Sequence, residues 1–151
     1  MTRVIIDGDA CPVTQSVIEL TEGTGIFTVI VRSYSHYSSA DQPEHVTTIY
    51  VDQGPDAVDY KIVQLCESSD IVITQDYGLA SLLINRATAV LHHSGKIYNT
   101  SNIDQLLNQR YLGAKHRRSG GRTKGPRPFT EQDRKLFEER FSEIIKPYRT
   151  V

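Results

Sequence analysis

Five short runs of β-branched and aliphatic residues, alternating with segments of helical spacing, restrict this chain's fold more than any other feature. The runs are residues 4–6, 27–31, 46–51, 70–74 and 87–92. Residues 13–22, 56–66 and 79–85 lie between or after them and place apolar side chains three and four positions apart, the signature of a helix with one buried face. Pro12 stands at the first turn of the earliest helix, and Gly23 and Gly25 stop it. One interval, residues 33–44, is a polar loop instead. Residues 102–111 read as a further helix. Thr130 caps a last one, with Leu136, Phe137, Phe141, Ile144 and Ile145 on one face. Short continuous apolar strands alternating with helices predict an α/β fold of three layers, α/β/α, with a mainly parallel central sheet covered on both sides.

A chain of 151 residues fits a single domain, 1–151. It holds no apolar run of the roughly 20 residues that a membrane helix needs, so no membrane partner is expected. Its first residues lead straight into a strand without a secretory pattern, and a cytoplasmic location is expected. Cys11 and Cys66 read as free thiols that pack as small hydrophobes, and no paired Cys-x-x-Cys knuckles suggest zinc.

Acids collect where the strands end. Asp7 and Asp9 follow the first run, Asp52 the third and Asp76 the fourth, while Asp56 and Asp59 open a helix on one face. Ligands of open parallel sheets bind beyond the carboxyl ends of the strands. If the first and fourth strands are neighbours, these acids converge. Carboxylates brought together repel, and a hard cation relieves that repulsion; all-oxygen ligands suit Mg²⁺ or Mn²⁺. Asp52 reads better as a turn residue before Gly54. Asp56 and Asp59 fit a helix dipole as well as they fit a metal. Asp7 with Asp76 resists such explanations, because two separate strands end the same way.

Charge is unevenly spread. Residues 1–109 carry 5 Lys/Arg against 13 Asp/Glu, and residues 110–151 carry 12 against 5, a shift from −8 to +7. The stretch 115–127, KHRRSGGRTKGPR, holds six Lys or Arg and no acid. Within a flexible basic loop at about 113–129, Arg117, Arg118, Arg122, Lys124 and Arg127 are the expected phosphate contacts. Arg110, Tyr111 and Phe129 at its edges offer stacking groups for single strands. Nucleic acid is therefore the expected partner.

The stretches VIIDGDACPV, GPDAVDYKIV, DIVITQDYGLA and RRSGGRTKGPRPFTEQDRKLF, in this order, resemble the YaiI/YqxD family over essentially the whole chain. That family is similar to the PIN-like nucleases, which implies a PIN-like fold with an acidic metal pocket. On this resemblance Asp7 matches the acid after the first strand and Asp59, with Asp56, the acid of a mid-domain helix. Thr74-Gln75-Asp76 matches the Thr/Ser-x-Asp after the fourth strand, and Leu79 fits the same pattern. Asp104, inside a helix, is not carried over.

The expected function is a Mg²⁺- or Mn²⁺-dependent nuclease acting on RNA ahead of DNA. Asp7 and Asp76 are the main metal ligands. Asp9, Asp56 and Asp59 serve as further ligands or position water, and Thr74 orients a carboxylate. Two alternatives stand beside it. One is a non-catalytic metal- and nucleic-acid-binding protein. The other is a phosphatase of the haloacid-dehalogenase type, for which Asp7-Gly8-Asp9 would supply nucleophile and acid. Homo-oligomerisation is left open.

Overall fold

The computed structural model describes residues 1–52, 54, 56–121 and 127–150. Five strands form one sheet: β1 (Arg3–Asp7), β2 (Phe27–Ser33), β3 (Val46–Val51), β4 (Ile71–Ile73) and β5 (Ala89–Leu91). All pairings are parallel, in the order β3-β2-β1-β4-β5. β1 is central, with Ile6 opposite Ile30 on one side and Ile73 on the other.

The sheet is apolar on both sides, as parallel sheets between helices are. Val4 and Ile6 of β1 point to a core shared with α1 (Thr14–Thr21) and α5 (Glu131–Ile145), where Phe137 and Phe141 are fully buried. Ile5 points the other way, to a core shared with α2 (Ala57–Leu65), α3 (Tyr77–Leu83) and α4 (Thr100–Arg118). The result is the three-layer arrangement expected from the alternating pattern. Cys11 and Cys66 are free and belong to opposite cores. Among the described residues no helix is long and apolar enough to cross a membrane.

Two helices differ from expectation. α3 starts at Tyr77, two residues before residue 79, because Asp76 caps it: Oδ1 accepts the amides of Gly78 at 2.8 Å and Leu79 at 3.1 Å. α4 is far longer than residues 102–111. A reciprocal Asn99–Asn102 capping box starts it, and it runs through Arg118. The expected loop from 113 is therefore helical over its first six residues. Ala114, Lys115, Arg117 and Arg118 are good helix formers, and the basic residues favour the negative end of the helix dipole. The polar interval after β2 also holds a 3₁₀ turn at Tyr34–His36.

The β1 end is tightly fixed. Gly8 extends the pairing by donating its amide to Val31 O at 2.8 Å. A Cβ there would lie 2.7 Å from both Arg32 Cγ and Ile30 Cγ2 and 3.0 Å from Val31 O, so no side chain fits between the two acids. At the other end of the same strands, Arg3 Nε donates to Asp70 Oδ1 at 3.0 Å, and Arg3 Nη2 donates to Leu65 O at 2.7 Å.

Candidate functional site

The order of the sheet reverses direction between β1 and β4, and ligand crevices of open α/β sheets form at such a point. Asp7 ends β1. Asp76 follows β4 two residues after Thr74. Asp59 lies in the first turn of α2. Asp7, Asp9, Asp56, Asp59 and Asp76 all line one cavity of about 260 Å³, with Gln75. Asp52 is exposed at the end of β3 and is not part of that lining.

Each acid is held differently. Thr74, 2% exposed, donates its hydroxyl to Asp7 Oδ2 at 2.8 Å and accepts the Asp76 amide at 3.0 Å. One hydroxyl thus ties the two strand ends together. Tyr98 anchors the same spot from below by donating to Thr74 O at 3.1 Å. Asp9 turns towards β2. Its Oδ1 accepts the Ser33 amide at 2.9 Å and lies 3.0 Å from His36 Nδ1. Asp56 precedes α2 with φ 69°, a left-handed conformation that aspartate tolerates better than most residues.

The charges are crowded. Burial pushes the Asp7 carboxyl above the ordinary aspartate value; the Thr74 hydrogen bond pulls it back, and Asp76 and Asp9 push it up again. Asp59 is pushed up to about 7, first by burial and then by the neighbouring charges of Asp76 and Asp7. A hydrogen bond to Asp76 adds to the same upward push on Asp59.

The donor set fits a hard cation in kind. Among the described residues, the side-chain donors lining the cavity are five carboxylates and the Gln75 amide, with no imidazole or thiol. Among the described residues, however, no three Asp, Glu, His or Cys side chains converge as a ready-made metal cluster. Mg²⁺ commonly takes only one or two carboxylates and fills its shell with water, so Asp7 with Asp59 or Asp76 suffices.

A stability prediction follows from the crowding. Asp59 binds its proton more tightly folded than unfolded, so this contribution to stability is complete below about pH 3.8. It is lost as pH rises towards about 7. In chelator, the melting temperature of wild type relative to that of Asp59→Asn should fall between pH 5 and pH 8, as measured by calorimetry; taking the difference cancels the opposite slope of His92, whose buried imidazole is pushed down to about 4. Millimolar Mn²⁺ should flatten that fall, because a bound cation favours the ionised carboxylates. An unchanged slope with and without Mn²⁺ would mean that no cation enters the pocket.

The basic residues are more scattered than the sequence implies. Arg117 and Arg118 lie exposed on the last turn of α4. Arg127 is engaged by both oxygens of Asp133, at 2.7 and 2.8 Å, and that pair holds the Asp133 carboxyl well below the usual range. Arg122 and Lys124 lie outside the described residues. Among the described residues, Arg110 is a cation that reaches the acids: its Nη1 lies 3.6 Å from Asp76 Oδ1. Sequence reasoning noted Arg110 only as an edge residue. It missed the anchoring of Asp9 by His36 and Ser33, which no local spacing announces.

A family model described as "Uncharacterized BCR, YaiI/YqxD family" matches residues 5–147. Similar curated proteins are named UPF0178 proteins. One from Staphylococcus saprophyticus is 65% identical over 98% of this chain and 96% of its own length. One from Staphylococcus epidermidis is 67% identical over 95% of this chain and 97% of its own. One from Staphylococcus aureus is 62% identical over 96% and 95% respectively. No solved structure matches the chain.

Proposed function

The chain belongs to the YaiI/YqxD family, and from its pocket we propose that it is a metal-dependent nuclease hydrolysing phosphodiester bonds in RNA ahead of DNA. One observation carries this reading: two adjacent parallel strands, β1 and β4, each deliver a carboxylate to the same oxygen-lined cavity at the sheet's switch point. The likeness to PIN-like nucleases, with Asp7, Asp59 and Thr74-Gln75-Asp76 at the corresponding places, supports it.

Asp7 and Asp76 would hold Mg²⁺ or Mn²⁺, with Asp59 completing the set. Lewis acidity to activate water and neutralise charge on phosphate oxygens is what such an ion would supply when bound. The protein does the rest. Thr74 Oγ1 fixes which oxygen of Asp7 faces inward, because Oδ2 is occupied by its hydrogen bond. Asp76 Oδ1 is oriented by two backbone amides of α3. Asp9 secures the turn after β2 and lines the cavity as a water-positioning group. Arg110, 59% exposed, can swing from Asp76 to a phosphate without desolvation. Arg117 and Arg118, with Arg122 and Lys124 of the same basic stretch, add affinity that falls steeply with salt.

The test is cleavage of labelled single-stranded RNA, with DNA alongside, in Mn²⁺, Mg²⁺ or chelator. Thr74→Val should lower the Mn²⁺-dependent rate roughly 10–100-fold, the usual cost of losing an outer-shell partner of a metal ligand, and Thr74→Ser should restore it. Cleavage that persists in chelator would overturn the reading.

A non-catalytic binding role is the second reading. It is favoured by the oxygens of Asp9 and Asp76 already engaged by backbone amides and by the lack of a ready-made cluster among the described residues. Wild-type protein that binds RNA but cuts nothing in any metal would select it. A haloacid-type phosphatase is less supported: its lysine candidate, Lys61, hydrogen-bonds Gln64 at 3.4 Å and does not line the acid cavity. Turnover of p-nitrophenyl phosphate would be needed to revive it.

A further inference from the structure

A second, larger cavity of about 680 Å³ shares Gln75 and Asp76 with the acid pocket as a common wall. Its size lies in the range of roughly 300–1,000 Å³ that holds small organic ligands. Four places in the fold build the rest of it, with Tyr77 coming from α3. Arg110 comes from α4, His92 and His93 follow β5, and Phe129 precedes α5.

The lining is chemically selective. The rings of His92 and His93 lie 4.0 Å apart, and His93 meets Phe129 edge to face at 5.6 Å and 82°. Arg134 covers part of Phe129 at 5.2 Å, so that ring is held from behind as well. His92 Nδ1 accepts the Ser94 amide at 3.1 Å, which leaves the ring hydrogen on Nε2. Burial pushes both imidazoles below their ordinary range, His92 to about 4, which favours the uncharged rings. The carboxylate of Asp133 on this wall is neutralised by Arg127. A neutral aromatic wall with a ring donor suits a planar heterocycle, and the guanidinium at its mouth suits a phosphate.

We propose that this cavity is a nucleoside subsite. It takes one unpaired base of the substrate against His93 and Phe129, with the adjoining phosphate held by Arg110 at the edge of the acid pocket. The phosphate's place in a reaction rests on the nuclease reading; the recognition of the base does not. The base must leave its pairing partner to enter, so a nucleotide locked in a duplex is excluded at this position.

The experiment uses a five-nucleotide adenylate RNA in chelator, with each base replaced in turn by an abasic residue, and fluorescence anisotropy as the readout. In wild type, one abasic position should weaken binding about tenfold, the effect of losing one stacked base. In Phe129→Leu, which keeps the apolar volume, that penalty should shrink to within about twofold. His93→Ala provides the second variant should the first fail to fold. A penalty that persists in the folded variants, or no base-dependent position in wild type, overturns the subsite. Protein that shows the penalty yet cuts nothing in Mn²⁺ keeps the subsite and removes the nuclease; protein that cuts but shows no penalty does the reverse.

Discussion

Asp7→Asn is expected to abolish metal-dependent RNA cleavage while leaving salt-sensitive RNA binding and the fold intact. The substitution is nearly isosteric, and the amide oxygen can still accept the Thr74 hydroxyl that now reaches Oδ2 at 2.8 Å. What disappears is a charge that burial, Asp76 and Asp9 all disfavour. The metal-free variant should therefore be no less stable than wild type, and its melting temperature should depend less on pH. Loss of a direct ligand should exceed the roughly 10–100-fold cost of losing an outer-shell partner such as Thr74. Cleavage rates in Mn²⁺, with anisotropy on the same RNA, separate the two properties. A variant that cuts at the wild-type rate would remove Asp7 from the site.

The largest expected effect on stability lies at the opposite end of the same strands. Asp70 is fully buried, and Arg3 reaches it with both Nε and Nη2 at 3.0 and 3.2 Å. The pair raises the Arg3 guanidinium further above its already high range. Arg3→Met keeps much of the apolar stem but strands the carboxylate, which among the described residues retains only the Glu67 amide at 2.8 Å as a donor from outside the pair. Breaking a buried pair from one side costs about 3–5 kcal/mol. Arg3 is 30% exposed, so the lower end of that range applies, about 3 kcal/mol. For a chain of this size that lowers the melting temperature by roughly 6–12 °C. Urea unfolding measures it. Adding Asp70→Asn to Arg3→Met should recover part of the loss, because the stranded charge is then gone. A single variant as stable as wild type would show that the pair contributes nothing net.

These two ends of the sheet differ in how visible they were in the sequence. The acid end announced itself: Asp7 and Asp76 each follow an apolar run, and parallel strands put such residues on one edge whatever their separation along the chain. Whether β1 and β4 are neighbours needed the structure. The Arg3–Asp70 pair carries no local signal, since its partners sit 67 residues apart and each looks like an ordinary strand-end charge. α4 reads shorter in the sequence than it is for a different reason. Only its first turns bury side chains, Ile103 with Leu106 and Leu107, and beyond them the helix has no apolar stripe to read. Asp9 was paired with Asp7 because they are close in sequence, but its carboxylate also serves the Ser33 amide and His36. Of the aromatic cavity the sequence shows only Phe129 at a loop edge, because His93 meets that ring through tertiary packing.

The seam between β1 and β4 also dictates when the acid pocket can exist. During synthesis, β1, β2 and β3 emerge first and can pair among themselves, since all three lie before residue 52. By residue 59 the ribosome has released four of the five acids, yet the cavity still lacks the wall that Asp76 and Gln75 provide. The hydrogen bond that unites the site, Thr74 to Asp7, closes a loop of 67 residues, and contacts of such long range are the slow ones to form. A partly made or arrested chain therefore carries most of the acidic residues but none of the pocket.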